Sequence, residues 1–381
     1  MAEVFKMGDG DWLTTEGGLV CTSTKTLDGS IEGILMEGER SSPKITQGAD
    51  RVYYESKVDE PAISYENSAN GALLLEPSTT NYITYSEDFT QWSDYGNATI
   101  EQSNEISPMG TQGVGLAKGA TGDDFFLSVV QNSVSVDSST EYVGSAWVKS
   151  AGATTVKVRL KDNTTGGSSS VTTSLTNDWQ RVSTTPLITG SSTGTTTLFF
   201  SETDGDILVY GAQVEEGSVA TSYIPTNGQT EVRAADSQFK TIDISKYINS
   251  SEGCIKIGFK RNFGDTETRR LRLSDKTSSN FIDIRFQSPG NRIELIVQSS
   301  NSFLGTSSVE NLSLDDFYNI VVKWDSNGFI MKVNNVEGNQ ISSQVLFSNN
   351  IKELRFRNPD LAQYLYGEVE YFKIYDSVDD Y

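Results

Sequence analysis

Short runs in which apolar and polar residues alternate, separated by turn residues, dominate this sequence. In VKVRL at residues 156–160 every second side chain is apolar, and FIDIRF at 281–286 and RIELIV at 292–297 repeat the pattern. A period of two is typical of a strand with one buried face, whereas a helix needs apolar residues every three or four positions. Ser, Thr, Gly and Asn fill the segments between the runs. We therefore predict an all-β protein, and 381 residues suffice for two or three domains with separate cores.

The chain contains no histidine. This removes the commonest general base and the commonest transition-metal ligand, so Ser-His-Asp catalysis, Cys-His catalysis and histidine-ligated zinc are excluded. A glycosidase that uses two carboxylates needs no histidine and stays open. Glu215 with Glu216, and Asp315 with Asp316, are adjacent pairs. Neighbours in a strand point to opposite faces, so neither pair forms a dyad by itself, and we expect no enzyme activity.

The charge and the apolar pattern limit the partners and the compartment. The formal net charge is −21, which makes nucleic acid an unfavourable partner. No apolar run is long enough for a membrane helix, so we expect no membrane insertion. The N-terminus lacks the basic start and apolar core of a signal peptide, which favours folding in a cytoplasm. Cys21 and Cys254 lie far apart in sequence, and we expect two plain thiols.

Two sequence signatures bracket one predicted domain. The first is LLLEPSTTNYITYSEDF at residues 73–89, and the second is YGAQVEEGS at 210–218, which continues to TSYIPT at 221–226 and RAAD at 233–236. The pair resembles the start and end signatures of a β-sandwich module in structural and fibre proteins of tailed bacteriophages. The resemblance implies a virion protein that assembles in the host cytoplasm. Phage fibres are commonly trimeric, so it also implies a homotrimer.

Further phrases resemble two kinds of β-sandwich. GSAWVK at 144–149 and NDWQRV at 177–182 resemble strands of jelly rolls in carbohydrate-binding modules. FYNIVVKW at 317–324, the Asn-Gly hairpin signal that follows it, and GEVEYFKIY at 367–375 resemble the laminin G or concanavalin A-like sandwich. The E-x-D-x-x-E motif of concanavalin A-like glucanases is not found, and this departure also argues against enzyme activity.

These resemblances imply two consecutive β-sandwiches preceded by a small β-rich region. We expect an N-terminal attachment or cap region at 1–80, a jelly roll at 81–235 and a concanavalin A or laminin G-like sandwich at 236–381. The first region is short and rich in glycine for a domain of its own. It is either an attachment segment that becomes ordered against other virion proteins or a cap that packs on the following sandwich.

Tryptophan side chains in the predicted jelly roll are the candidates for sugar stacking. A sugar ring packs its C–H face on an aromatic ring while polar neighbours bind its hydroxyl groups. Trp147 alternates with Ala146 and Val148, so one strand face holds Ser145, Trp147 and Lys149, as on an open jelly-roll face. Trp92 and Trp179 are further candidates. The alternative is that each tryptophan belongs to the core.

Calcium is the cofactor that the jelly-roll resemblance implies. Carbohydrate-binding jelly rolls often hold a structural calcium between the first segment and the last strand. Glu87, Asp88 and Asp206 supply oxygen at those places in this sequence. Calcium takes six to eight oxygen ligands, several of them from the backbone. The alternative is that these acids lie in solvated turns.

A basic cluster stands out in the last part of the chain. It consists of Lys260, Arg261, Arg269, Arg270 and Arg272. One possibility is that these side chains bind an acidic glycan or an acidic neighbouring chain. The other is that they belong to a solvated hairpin and pair with Asp265, Glu267 and Asp275. The hairpin is the more ordinary arrangement.

The sequence thus favours a phage fibre or surface adhesin that makes non-catalytic, multivalent contact with host-surface or environmental glycans. Multivalency would turn weak binding at single sites into useful avidity. Its other partners would be virion proteins, contacted through the N-terminal region. One alternative is a purely structural capsid or tail decoration or connector protein. A second alternative is a glycan depolymerase with two facing carboxylates.

Overall fold

A computed structural model shows two compact units, one of which interrupts the other in sequence. The structure describes residues 3–10, 12–15, 18–21, 34–93, 99–118, 128–129, 134–201, 205–241, 243–261, 268–287, 291–313, 317–343, 351–358 and 363–378. One unit, called here the interrupted sandwich, comprises residues 1–51, 56–77 and 235–381. The other, the inserted domain, comprises 52–55 and 78–234.

Regular structure in the described residues is almost entirely β. The strands up to the first signature are β1 (Glu3–Gly8), β2 (Leu13–Thr15), β3 (Gly18–Cys21), β4 (Ile34–Glu39), β5 (Lys44–Gln47), β6 (Tyr53–Ser56), β7 (Ile63–Ser64), β8 (Ala72–Leu75) and β9 (Thr79–Asn81). A 3-10 helix (Phe89–Gln91) follows, then β10 (Trp92–Ser93), β11 (Thr99–Ser103), β12 (Val114–Lys118), β13 (Ser128–Val129), β14 (Val134–Val136), β15 (Glu141–Ser150), β16 (Thr155–Asp162), β17 (Ser168–Ser174), β18 (Gln180–Ser183), β19 (Leu187–Ile188), β20 (Gly194–Ser201), β21 (Ile207–Glu216) and β22 (Glu231–Arg233).

The remaining strands belong to the interrupted sandwich. They are β23 (Ser237–Thr241), β24 (Gly253–Lys260), β25 (Arg269–Ser274), β26 (Phe281–Gln287), β27 (Arg292–Ser299), β28 (Ser302–Val309), β29 (Phe317–Asp325), β30 (Gly328–Val333), β31 (Val336–Glu337), β32 (Glu353–Arg355), β33 (Arg357–Asn358), β34 (Gln363–Tyr364) and β35 (Gly367–Tyr375). The all-β fold class predicted from the alternating runs is therefore confirmed. No helical segment in the described part of the chain has the length and apolar character to span a membrane.

The interrupted sandwich packs two large sheets around one core. The first has the strand order β31-β30-β29-β24-β35-β8-β7, and β1 also pairs with β35. The second has the order β2-β3-β4-β23-β32-β25-β26-β27-β28. Alternate residues of the central strands point into the core, such as Ile255 and Ile257 of β24 and Ile282 and Ile284 of β26. Cys254 lies here as a free, buried thiol, and burial raises its pKa to about 11.

The N-terminal residues complete this sandwich. β1 pairs antiparallel with the C-terminal half of β35, and β8 pairs with residues 367–369 of the same strand. β4 pairs with β23 in the other sheet. This organisation corrects the expected domain at 1–80. Strands from this region supply neighbours for the edge of β35, which would otherwise leave its backbone groups without ladder partners.

The inserted domain is a second, smaller sandwich. A six-stranded sheet has the order β11-β12-β21-β15-β18, with β19 also paired to β15, and a four-stranded sheet has the order β14-β20-β16-β17. Apolar side chains from facing strands fill the space between them, among them Ala146, Val158 and Phe200. The short pair β9 and β22 brings the two ends of the domain together. Its bounds, 78–234, differ by a few residues from the predicted jelly roll at 81–235.

Candidate functional site

The sheet face opposite the core is where sequence reasoning placed the sugar-binding aromatics. In β15, Tyr142, Ala146 and Val148 point into the core. The alternating residues Ser145, Trp147 and Lys149 therefore point to the other side, as the strand period requires. We call this side the outer face of the six-stranded sheet. It is the face that carries the candidate site.

Trp147 on this face is buried and not available to a sugar. Only 1% of the residue is exposed. Tyr53 and Tyr223 meet its ring edge-on, with centroid distances of 5.1 and 5.2 Å. The guanidinium carbon of Arg181 lies 4.8 Å from the ring centroid. A sugar needs an open aromatic face, so Trp147 is not the stacking surface that its alternation suggested.

The two sequence signatures cover this face. The Asn81 side-chain amide donates to the carbonyls of Ala212, at 3.1 Å, and Ile224, at 2.8 Å, and its oxygen accepts from the backbone of Val214. The backbone N–H of Ser86 donates to the Thr226 hydroxyl, while the Thr226 N–H donates to the Ser86 hydroxyl at 2.8 Å. We call this set of contacts the closure. It shows that the signature residues hold the domain's two ends together.

Gly211 allows the closure to form around the tryptophan. Its φ of +62° lies in the left-handed region that glycine adopts without strain. A Cβ at this position would lie 2.8 Å from the Trp147 ring and 3.2 Å from the Tyr223 ring. Any larger residue would therefore force the aromatic rings apart.

Two carboxylates are held inside the closure. Glu87 accepts hydrogen bonds from the hydroxyls of Tyr210, at 2.8 Å, and Tyr223, at 2.9 Å. Burial, and next the charge of Glu87, raise the pKa of Tyr223, so its hydroxyl stays protonated and donates. Glu215 accepts from Gln213 and from both the N–H and the hydroxyl of Thr221. Complete burial raises the pKa of Glu215, although these hydrogen bonds oppose the rise.

Trp92 belongs to the core of the inserted domain. It is 5% exposed, and its ring lies 4.9 Å from that of Phe89 and 6.0 Å from that of Phe200. Its indole N–H donates to the carbonyl of Tyr85 at 2.9 Å. Trp92 is therefore a core tryptophan, which was the alternative to sugar stacking.

Trp179 is the predicted aromatic that keeps an accessible surface. Its indole N–H donates to the carbonyl of Ile106 at 3.0 Å, which fixes the ring, and Ile106 itself is 52% exposed. The Lys149 ammonium lies 5.9 Å from the ring centroid and donates to the Glu105 carboxylate at 2.6 Å. We call these four residues the Trp179 patch. Sequence reasoning named Trp179 and Lys149 but missed Glu105 and Ile106, which lie on a separate loop.

Two of the three acids predicted to bind calcium, Glu87 and Asp88, have other side-chain partners. Glu87 accepts from the two tyrosines, and Asp88 caps the 3-10 helix by accepting from the Thr90 backbone N–H. At Asp206 the backbone carbonyl accepts from Ala151 and Ala153. Within the described ranges no group of three or more metal-ligating side chains occurs. Calcium binding at these positions therefore stays a prediction.

The arginines of the basic cluster are buried, whereas a solvated hairpin was the more ordinary expectation. Arg270 and Arg272 are buried and pair with Asp283 on the neighbouring strand, an acid that sequence reasoning missed. Arg269 lies over the ring of Tyr366, and the Lys260 ammonium lies 5.8 Å from the centroid of the Phe317 ring. Of the expected partners, Asp275 accepts from Thr277 and Asn280, while residues 265 and 267 lie outside the described ranges.

Comparison with known proteins finds weak structural similarities. No family model and no curated protein matches the chain. Among solved structures it is similar to the tandem CBM22-1-CBM22-2 domains of Paenibacillus barcinonensis Xyn10C, with 13% identity over 77% of this chain and 98% of that one, at a TM-score of 0.29. It is also similar to domains LG4-5 of the mouse laminin alpha1 chain, with 7% identity over 65% and 87%, at a TM-score of 0.27. At these scores the similarities carry no argument about function.

Proposed function

We propose that this chain is a virion structural protein of a tailed phage whose inserted domain makes non-catalytic contact with surface glycans through the Trp179 patch. The observation that carries the glycan contact is the fixed, partly exposed Trp179 ring beside the Lys149 and Glu105 charges. A pyranose can pack its C–H face on such a ring while the ammonium and carboxylate bind its hydroxyl groups. The phage assignment rests on the two sequence signatures.

Glycan contact through so small a patch requires several copies of the chain on one particle. A patch of one aromatic ring and two charges binds a sugar only weakly, since much of the contact is offset by the cost of ordering the ligand. Several copies on one particle raise the apparent affinity through effective concentration. We propose a homotrimer for this reason and because phage fibres commonly have that symmetry.

A binding screen with the whole chain tests this proposal. We would apply wild type, Trp179→Ala and Ile188→Ala to a glycan array and to bacterial cells. Ile188 is the matched control because it is an apolar residue of the same domain that is 64% exposed. Saturable binding that is lost in Trp179→Ala and retained in Ile188→Ala supports the proposal. Absence of binding to every glycan and cell type, by a folded multivalent protein, would refute it.

A structural decoration or connector protein is the second candidate. The closure favours it, because the signature residues fill the outer face that an open lectin-like groove would occupy. A glycan screen without binding, together with stable incorporation of the chain into virions, would select this candidate. Adding EDTA to the same screen tests calcium, since a metal-dependent site would lose its binding.

A further inference from the structure

One face of the nine-stranded sheet carries a concentration of arginine that the proposed function does not use. Leu271 and Leu273 of β25 point into the core of the interrupted sandwich. Arg270 and Arg272 alternate with them and so point to the opposite side. Asp283 and Arg285 of β26 lie on that same side, since Ile282 and Ile284 point into the core. We call these four residues the arginine face.

Three guanidinium groups on this face converge on one carboxylate. Arg272 binds Asp283 with two hydrogen bonds, from Nε at 2.6 Å and from Nη2 at 2.8 Å. Arg270 donates to Oδ2 of Asp283 at 3.3 Å, and Arg285 donates to the same oxygen at 3.4 Å. Asp283 has no exposed surface. Arg272 also stacks on Phe281, with its guanidinium carbon 4.2 Å from the ring centroid.

Two further acids lie beside this group. Glu294 has its carboxylate 4.0 Å from Arg285 and 3.9 Å from Arg292, and it accepts a shorter bond from Gln287, at 2.7 Å. Glu353 pairs at 2.5 Å with Arg355, which lies opposite Arg272 in the sheet. Asp283 is thus the carboxylate that the three arginines share.

Two of the arginines keep unused hydrogen-bonding capacity. The Nε atoms of Arg270 and Arg285 are buried and have no hydrogen-bond partner among the described residues. Buried donors without a partner are rare, and each calls for a water, an ion or a ligand. Burial, and then the charge of Arg285, lower the pKa of Arg270, as expected where cations are crowded. Arg285 has a side chain that is 21% exposed, which gives an acid group access from solvent.

We propose that the arginine face binds a carboxylate group of an acidic polysaccharide. The planar guanidinium fork matches a planar carboxylate with two parallel hydrogen bonds, the geometry that Arg272 and Asp283 already show. This site lies in the interrupted sandwich and uses none of the Trp179 patch.

Binding of oligogalacturonate tests the proposal. We would measure the affinity of the whole chain for oligogalacturonate and for its methyl ester, which lacks the charge. Arg285→Gln is the test variant, and Lys332→Gln is its matched control. Lys332 lies on the other sheet, where it pairs with Glu337 at 2.9 Å. A lost hydrogen bond between charged groups corresponds to roughly a tenfold or larger loss of affinity.

The proposal expects that wild type and Lys332→Gln bind oligogalacturonate, that Arg285→Gln binds at least about tenfold more weakly, and that the methyl ester does not bind. Equal affinity for both variants, or no binding by wild type, overturns it. Inorganic sulfate or phosphate that binds as tightly as oligogalacturonate overturns the assignment to a carboxylated sugar. If Arg285→Gln fails to fold, the unfolding temperature of wild type is measured with oligogalacturonate and with its methyl ester. A rise with oligogalacturonate alone supports the proposal, and equal shifts overturn it. Loss of binding in Trp179→Ala instead would point to the Trp179 patch.

Discussion

The backbone N–H of Glu76 donates a 2.8 Å hydrogen bond to the carboxylate of Asp236, 160 residues away in sequence. These residues flank the long segment of the inserted domain, residues 78–234. Arg40 binds the same carboxylate at 3.0 Å, and Lys44 bridges Asp236 and Glu76. The side chains of all four residues are at most 3% exposed. A buried ion network thus joins the two points at which the chain leaves and re-enters the interrupted sandwich.

Asp236→Asn tests this network. The change leaves Arg40 and Lys44 buried with less compensating charge, and breaking such a pair costs about 3–5 kcal/mol. We expect a loss of that size in the free energy of unfolding, measured by urea denaturation. The matched control is Glu337→Gln, because its carboxylate is half exposed and its pair with Lys332 is worth less than about 1 kcal/mol. Equal losses in the two variants would show that the network does not stabilise the sandwich.

Asn81→Ala tests the closure of the inserted domain. Asn81 is fully buried, and its loss leaves the carbonyls of Ala212 and Ile224 without a donor. Each unsatisfied buried group costs about 1–3 kcal/mol, so we expect a loss of about 2–6 kcal/mol in the free energy of unfolding. The control is Asn104→Ala, whose side chain is exposed in the same domain. A difference below about 0.5 kcal/mol between the two would contradict the role of the closure.

Glu215 predicts a specific dependence of stability on pH. Its pKa in the folded protein is raised above the ordinary value of 4.5, chiefly by burial. The folded state therefore holds this proton more tightly than the unfolded state. The stability that Glu215 contributes is complete below pH 4.5 and is lost as the pH rises through the higher folded pKa.

Glu215→Gln should remove this loss. The amide oxygen can accept from Gln213 and Thr221 as the carboxylate does, and the amide nitrogen can donate to the Thr221 hydroxyl. We expect the unfolding free energy of the variant, relative to wild type, to increase from about pH 4.5 upward in urea titrations. The exposed neighbour Glu216, changed to Gln, is the control. A pH-independent difference between Glu215→Gln and wild type would contradict the raised pKa.

Trp147 and Trp179 should differ in what they contribute to the free energy of unfolding. Trp147→Ala removes a ring that is 99% buried, and such cavities cost about 3–5 kcal/mol. Trp179→Ala removes a partly exposed ring with one hydrogen bond, so we expect a loss of about 1 kcal/mol. Thermal and urea unfolding of both variants measure the difference. Similar losses would mean that Trp179 is as deeply packed as Trp147.

Local sequence pattern predicted the strands, because alternation is a property of neighbouring residues. It placed Ser145, Trp147 and Lys149 on one face. The bounds 81–235 were expected from the two signatures, whereas the inserted domain comprises 52–55 and 78–234. It did not reveal that β1 and β8 pair with β35, since no local signal records which distant strands become neighbours. The interruption of one sandwich by another was missed for that reason.

The site was predicted less well because exposure depends on segments far away in the chain. The alternation in β15 does not show that Tyr53 and Tyr223 cover Trp147. Likewise, Asp283 lies between two core residues of β26, and only the pairing of β25 with β26 places it beside Arg270 and Arg272. A polar residue inside an apolar alternating run was the one local signal that could have identified it.

The most direct test of glycan binding at the Trp179 patch is the affinity of Trp179→Ala and of Trp147→Phe for the best glycan from the screen. Trp147→Phe keeps an aromatic ring inside the closure and changes no residue of the Trp179 patch. If the sugar packs on Trp179, Trp179→Ala binds at least about tenfold more weakly than wild type, while Trp147→Phe keeps the wild-type affinity. Loss of affinity in Trp147→Phe together with wild-type binding by Trp179→Ala would contradict binding at the patch and indicate a site beneath the closure.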